Sequence, residues 1–540
     1  VTTTAHDEGD AMNDRRECLR FISLASLAGL VSGAVFLATA EVVALIGARG
    51  ASPILAVGSF VIDVVPQPVK EFAIATFGEY DKIILLASLA AAVLIASAIA
   101  GVLQYLRPPL GAAAFVVAGA LSGAAIVTRA GAAPFAFAAP LLATVAGVIV
   151  VIILARRLRE RRRSVGTRPT AVEGETGTAP QPSTVLGRRG FLLTAAIAGV
   201  SAAVAGVAAR TVSAATSSVA SIRKALRLPD PRTTVTVPDG AELDVPGLSP
   251  LYTPNADFYR VDTALTVPTI DPAGWRLVID GMVDQRVEIG FDELIAMGLD
   301  EYSITLTCVS NEVGGGLVGS ARWLGVPVRD LLRLAAPQTD ADMVLSRSID
   351  GFTASTPLST LTDDGTDAIL AVAMNGEPLP LEHGFPVRMV VPGLYGYVSA
   401  TKWLTQLTVT TFEKDEAYWT PRGYSAQAPI KLSSRVDTPR SGKPVSAGVV
   451  PIAGVAWAQT VGIDRVEVQI DDGDWQQATL SNAVNEDTWV QWLVEWDATP
   501  GTHYVSVRAT DREGKMQVRE RTRIAPDGST GWQRVLITVS

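Results

Sequence analysis

The chain has 540 residues, room for three to four domains of ordinary size. Its 45 Lys and Arg stand against 54 Asp and Glu, a net charge of −9, which excludes the broad basic face of a nucleic-acid binder. Charged residues make up only 18% and mean hydropathy is +0.29. The excess apolarity lies within residues 1–210, so a membrane region precedes an ordinary soluble one.

Arg15, Arg16 and Arg20 precede an uncharged run at residues 21–40, and a bilayer takes about 20 residues to span. Residues 54–65 are apolar but broken by Asp63 and followed by Pro66 and Pro68, which predicts a helix lying at the interface. Uncharged runs at 83–106, 110–128 and 135–155 predict three more spans, making a four-span region over residues 1–163. The basic cluster ARRLRERRR, residues 155–163, places that end in the cytoplasm, and counting back places the N-terminus there too. Residues 164–186, rich in Pro, Thr, Gly and Ser, predict a flexible cytoplasmic linker.

Gly187-Arg188-Arg189-Gly190-Phe191-Leu192 opens a fifth apolar run at 191–209. The segment 187–212 resembles a twin-arginine export signal; the plainer reading is a positively flanked anchor. Both carry residues 211–540 to the extracytoplasmic side. His6, His383 and His503 all lie outside the apolar runs, which also lack methionine, so no haem held by two such ligands is expected in the spans. The near absence of charge argues against an ion path. The spans therefore read as an anchor in the lipid bilayer or a docking surface for another membrane protein. Cys18 and Cys308 fall in segments of different character, so no disulfide is expected.

Residues 275–280 (WRLVID) and 287–289 predict strands, and 291–297 a helix with Asp292 and Glu293 in its first turn, where the dipole favours them. The mixture continues to about residue 412 and predicts an α+β domain over 213–424. Beyond it, VSAGVVPIAGVAW, RVEVQIDDGDW, TWVQWLVEWD and HYVSVRATDREG alternate in strand fashion, with a turn at Asp472-Gly473. They predict an immunoglobulin-like β-sandwich over 425–540.

The chemistry centres on LTCVSNEVGGGLVGSARWLGVPVRDLL, residues 306–332. A strand ends at Cys308 and a glycine-rich loop follows. Gly314, Gly315 and Gly316 permit backbone that brings peptide groups close to a ligand. Such a cysteine can be a small core hydrophobe, a nucleophile, or a soft thiolate ligand. TCVSN, the glycine run and SARW, followed by MNGEPLPLEHGFPVRMVVPGLYGYVSATKWL at 374–404, resemble the molybdopterin domain of the sulfite oxidase family. The resemblance covers roughly residues 240–540 and implies a molybdenum-molybdopterin cofactor with Cys308 bound to the metal. It also makes the C-terminal sandwich a dimerisation domain, implying a homodimer. The alanine- and arginine-rich composition points to an actinobacterial-type member.

The same resemblance assigns further residues. Arg388 and Lys402 match contacts to the pterin and its phosphate, and His383 another pterin contact. Ser399 and Thr401, beside Lys402, are candidate donors. In TPNADFYRVDT, residues 253–263, the candidates are Asn255, Tyr259 and Arg260. Arg322, in SARW, is the candidate substrate-side arginine and is grouped with Cys308 as catalytic. The sequence also departs from sulfite oxidase. Val261 and Thr263 stand where that family carries an arginine and a histidine, and Phe352 where it carries a tyrosine. Sulfite is a dianion and calls for several cations. The FYRVDT segment looks closer to bacterial protein-methionine-sulfoxide reductases. The expectation is thus oxygen-atom transfer on an S- or N-oxide or thioether, with sulfite oxidation as the alternative and a cofactor-binding scaffold as the non-enzymatic rival. Electrons would pass to or from a separate carrier: a cytochrome, a quinone-linked protein or another membrane subunit.

Overall fold

The computed structural model describes residues 4–47, 53–65, 81–127, 135–166 and 215–540, with isolated positions between 69 and 77. The chain divides into two compact units, Val1–Ala215 and Thr216–Ser540. The twin-arginine-like segment and nearly all of the expected linker lie outside the described residues.

In the first unit, α1 (Thr4–Gly47), α3 (Asp81–Leu106), α4 (Leu110–Val127) and α5 (Ala138–Gly166) are long, and α2 (Pro53–Val64) is short. Four stretches are long and apolar enough to cross a membrane: Glu17–Ala44, Ile84–Leu106, Leu110–Val127 and Ala138–Arg163. These match the four expected runs. The basic cluster at 155–163 is not a loop, because α5 continues through it to Gly166. Lipid gives helices no hydrophobic reason to associate, so close packing of small residues must do it. A Cβ on Gly29 of α1 would lie 2.0 Å from the Ser97 carbonyl oxygen of α3, and one on Gly101 would lie 2.2 Å from the Ala25 carbonyl. The Gln104 side chain accepts a 2.8 Å hydrogen bond from the Ala112 N–H, one of the amides an α-helix leaves unpaired in its first turn.

The second unit opens with α6 (Ala215–Ala225) and holds two layers of mixed structure. One sheet has the order β2-β1-β10-β5-β6: Val287–Gly290, Arg276–Gly281, Leu404–Thr410, Met343–Ser348 and Thr353–Pro357. Only β1 and β10 run parallel. The other is built on β3 (Asp300–Thr307), β4 (Val318–Pro327) and β7 (Ile369–Met374), with β8 (Glu377–Pro378) and β9 (Arg388–Val390) both on β7. β7 is buried along its whole length and is uniformly apolar, as a central strand covered on both faces must be. Apolar side chains of α7 (Phe291–Ala296) and α8 (Val328–Ala335), among them Leu294, Leu331 and Leu332, join the main core.

Two four-stranded antiparallel sheets follow, β11-β12-β16-β15 and β14-β13-β17-β18, in which β11 is Ser433–Thr438, β14 is Trp475–Gln477 and β15 is Thr479–Leu480. Their strands include β12 (Gly448–Trp457), β13 (Ile463–Ile470), β16 (Val490–Ala498), β17 (Gly501–Asp511) and β18 (Gln533–Val539). Alternate residues Val466 and Val468, Val505 and Val507, and Ile537 and Val539 share one core with Ile452 and Trp492. Each such side chain, fully buried, contributes about 1.5–3 kcal/mol. These sheets are not insulated from what precedes them. Leu251, Val318, Val455, Trp457 and Trp489 form a joint apolar cluster, and the Trp489 indole donates to the Leu251 carbonyl at 2.9 Å.

Candidate active site

Cys308 follows directly on β3, which hydrogen-bonds to β4 along its length. The turn after it is closed by its own backbone: Cys308 N–H donates to the Leu317 carbonyl (2.9 Å), and Asn311 N–H to the Cys308 carbonyl (3.0 Å). The thiol is buried and accepts from the Ser310 N–H at 3.4 Å. Burial pushes the thiol's pKa up, while the Ser310 amide and the Lys402 charge pull it back.

The sulfur lines a cleft open to solvent, whose atom-free space, open solvent included, is about 930 Å³. Tyr259, Cys308, His383, Arg388 and Lys402 line it together, as expected. Arg388 lies on β9, opposite Ala371 of β7. His383 ends the 3-10 turn Leu381–His383. Gly384, at φ +109°, lets the three converge: a Cβ there would meet the Cβ atoms of Arg388 at 3.0 Å and Lys402 at 3.1 Å.

The electrostatics of this corner are unusual. The Arg388 guanidinium is buried and bonds only to carbonyls, of His383 (3.2 Å), Met389 (3.4 Å) and Ala400 (3.5 Å). Burial pulls its pKa down to about 10. Lys402 is buried too, and burial lowers it to about 8 although Asp262 holds it at 2.7 Å. Burial, then the Arg388 and Lys402 charges, drive His383 down to about 4, so its ring is neutral. Its Nε2 sits 3.1 Å from the Asn255 carbonyl and must therefore carry the proton. That leaves Nδ1 as a buried acceptor without a partner. A buried guanidinium facing no carboxylate suits a phosphate, and an unpaired imidazole nitrogen suits a heterocyclic N–H. With the thiol, these residues fit a molybdopterin. Among the described residues, no group of three or more His, Cys, Asp and Glu gathers around one point.

The other expected residues lie elsewhere. Arg322 is not in the cleft. Alternation on β4 turns Trp323 toward Arg388, with 5.1 Å from guanidinium carbon to ring centroid, and turns Arg322 away to Glu301 (3.5 Å) and the Tyr252 ring (5.7 Å). The Asn255 amide is spent on Glu377 (2.7 Å), Asn375 (2.9 Å) and the Met374 carbonyl (3.2 Å). Arg260 points outward and bonds Asp262 at 2.9 Å. The Ser399 hydroxyl donates to the Leu394 and Tyr395 carbonyls, and that of Thr401 pairs with Ser346 at 2.7 Å. The glycine run does not line the cleft either. Arg435 donates to the Gly315 carbonyl at 3.0 Å, and a Cβ on Gly314 would lie 2.6 Å from the Gln533 amide, so the loop is shaped to fit the C-terminal sheets.

Several lining residues were not anticipated: Phe258, Asp262, Ser310, Ser348, Asp350, Trp403, Trp419 and Tyr424. Asp262 was within sight, between Arg260 and Thr263 in the TPN segment. Its partner Lys402 is 140 residues away, and no local spacing announces that pairing. Val261, Thr263 and Phe352 also line the cleft, and Thr263 donates to Asp350 at 3.3 Å.

Residues 264–419 match the oxidoreductase molybdopterin binding domain family. The chain therefore carries a sulfite-oxidase-like molybdopterin oxidoreductase domain, a domain of enzymes, together with candidate membrane-spanning helices. Among similar proteins, human mitochondrial sulfite oxidase is 30% identical over 341 residues, covering 53% of this chain and 62% of that one. The rat enzyme is 32% identical over 271 residues, 42% of this chain and 49% of its own. The chain thus spans less than two thirds of the length of either. The solved structure of sulfane dehydrogenase SoxCD from Paracoccus pantotrophus is 22% identical, covers 53% of this chain and 80% of its own, and has a TM-score of 0.47.

Proposed function

We propose that the chain is a membrane-anchored molybdopterin oxidoreductase, with its catalytic unit outside the cytoplasm, that moves an oxygen atom to or from a small sulfur-centred substrate. The observation that carries this reading is the meeting of Cys308, His383 and Arg388 in one cleft of the domain that matches the molybdopterin family. The cofactor, when bound, supplies the two-electron chemistry. Cys308 offers its sulfur to the metal. Arg388 would offer a charge-assisted donor set to the cofactor's phosphate, and His383 Nδ1 would be free to accept a hydrogen bond from the pterin. Lys402, steadied by Asp262, adds a second cation without leaving the site strongly positive. Phe352, Trp419 and Tyr424 give the cleft an apolar rim.

Sulfite is the first substrate to consider, because the similar proteins are named sulfite oxidases. One observation favours an S- or N-oxide or a thioether instead. Val261, Thr263 and Phe352 line the cleft where that family carries an arginine, a histidine and a tyrosine, Arg322 lies outside it, and Asp262 and Asp350 add carboxylates. Electrons pass to or from a separate carrier, and the C-terminal sheets read as an immunoglobulin-like domain with a homodimer contact.

The test is metal analysis and cofactor mass on the purified protein and on Cys308→Ser, with turnover measured by dye reduction on sulfite and by reduced-dye oxidation on an S-oxide. Wild type should hold molybdenum, give a Mo(V) signal during reductive titration, and turn over one of the two substrates. Molybdenum and turnover that survive in Cys308→Ser overturn the assignment.

A further inference from the structure

One surface of the C-terminal sheets belongs neither to the cleft nor to the sandwich core. Residues 518–523, VRERTR, are exposed throughout. They put Arg519, Arg521 and Arg523 on the surface with Glu520 as the one carboxylate between them, in a chain whose net charge is −9. Among the described residues these three arginines have no ion-pair partner. Arg519 lies over the Trp532 ring at 5.4 Å, and Arg508 lies over both Trp475 (4.0 Å) and Trp532 (5.4 Å). The two indoles meet edge to face, with centroids 5.1 Å apart. Glu467 neutralises Arg508 at 2.9 Å, so the free charge belongs to the 519–523 strap. Arginine and tryptophan side by side, partly exposed, are the residue types that dominate binding energy at protein interfaces.

The strap is also tied to the loop that carries Cys308. Downstream of it, the Ser529 hydroxyl donates to the Asn311 carbonyl at 2.7 Å, and Asn311 N–H bonds the Cys308 carbonyl at 3.0 Å. Gln533, next to Trp532, packs on Gly314 of the same loop. The strap itself is bonded to this segment, Thr522 N–H donating to the Thr530 carbonyl at 3.1 Å, so a protein bound on this surface would rest on the element that buttresses the Cys308 turn.

We propose that the strap Arg519–Arg521–Arg523, with Trp475 and Trp532, is the docking surface for an acidic redox protein that exchanges electrons with the site. The inference rests on the oxidoreductase reading above and names the charge and place of its carrier. Charge complementarity chooses this occupant over a second copy of the chain. In a two-fold contact the patch would face itself, and its unpaired arginines would repel. The tie to the Cys308 turn chooses it over an anionic lipid surface.

The test is binding, so it does not depend on turnover. The detergent-solubilised full chain is titrated calorimetrically with a purified acidic c-type cytochrome, with a basic one, and with phosphatidylglycerol vesicles, at low and high salt. Wild type should bind the acidic cytochrome in a salt-sensitive way and the basic one far more weakly. The triple variant Arg519→Glu, Arg521→Glu, Arg523→Glu should weaken acidic-cytochrome binding by about tenfold or more, and the triple Gln variant by less. Equal affinity in the Glu variant and wild type, no acidic-cytochrome binding by wild type, or a change of oligomeric state with the Glu variant would overturn the proposal. So would loss of vesicle binding alone. Dye-linked turnover, with phenazine methosulfate as acceptor for sulfite or reduced methyl viologen as donor for an S-oxide, unchanged in the variants, shows that the site itself is intact. Failure of wild type to turn over in both assays would count against the oxidoreductase reading and leave the binding result standing on its own.

Discussion

Lys402 and Asp262 meet at 2.7 Å with both side chains almost wholly buried, the ammonium at 9% exposure and the carboxylate at 5%. Asp262 also receives the outward-pointing Arg260 at 2.9 Å. The two bonds differ in kind. Removing one partner of a buried pair leaves a charge out of water with nothing to compensate it, whereas loss of Arg260, itself 37% exposed, leaves Asp262 still paired with Lys402. Asp262→Ala is expected to cost about 3–5 kcal/mol in unfolding of the second unit. Arg260→Ala is expected to cost less than about 1 kcal/mol. Denaturant titration of both variants checks the contrast.

His383 sets a pH limit. Its folded pKa, about 4, lies below the ordinary 6.5, so the unfolded chain binds the extra proton between those values. Stability contributed by the neutral ring is therefore complete above pH 6.5 and falls away as pH drops toward 4, by on the order of 2–3 kcal/mol. His383→Gln should flatten the melting temperature against pH across that window. An unchanged slope in the variant would show that the loss arises elsewhere.

The membrane bundle carries its own test. A methyl group on Gly29 or Gly101 would fall inside van der Waals contact of the facing backbone. Gly29→Ala or Gly101→Ala should force α1 and α3 apart and cost about 1–3 kcal/mol. Gly123 has only Pro140 Cγ nearby, at 3.8 Å, and Gly123→Ala should be tolerated. Detergent melting of the full chain separates these outcomes.

Substrate preference should respond to cleft charge. Val261→Arg combined with Phe352→Tyr adds a cation and a phenol to the lining. The pair should lower KM for sulfite by about tenfold or more, as added complementary charge does for a small anion. A rise in KM would mean that sulfite does not approach from the side these residues line.

Much of this architecture could be read from the chain alone. The four spans stand out as uncharged runs because a bilayer excludes charge, and β7 stands out as ILAVAM because it is buried along its whole length. Cys308, His383, Arg388 and Lys402 were legible through motif resemblance and do share a cleft. What misled was proximity along the chain. Ser399 and Thr401 stand beside Lys402, yet the Ser399 hydroxyl is consumed by backbone carbonyls and that of Thr401 by the Ser346 side chain. Arg322 adjoins Trp323, yet strand alternation sends the two to opposite faces. The glycine run reads as a ligand cradle in the sequence, but in the fold Gly314 makes room for Gln533 and the Gly315 carbonyl accepts from Arg435, both from far down the chain.

That last arrangement bears on how the enzyme is made. Ser529, whose hydroxyl buttresses the Asn311 carbonyl, is synthesised 218 residues after Asn311. While the ribosome is still working through the C-terminal sheets, the turn that presents the thiol lacks its outer supports. Loading of the prosthetic group should therefore favour the finished polypeptide over the nascent one, and a stalled or clipped product should accumulate empty.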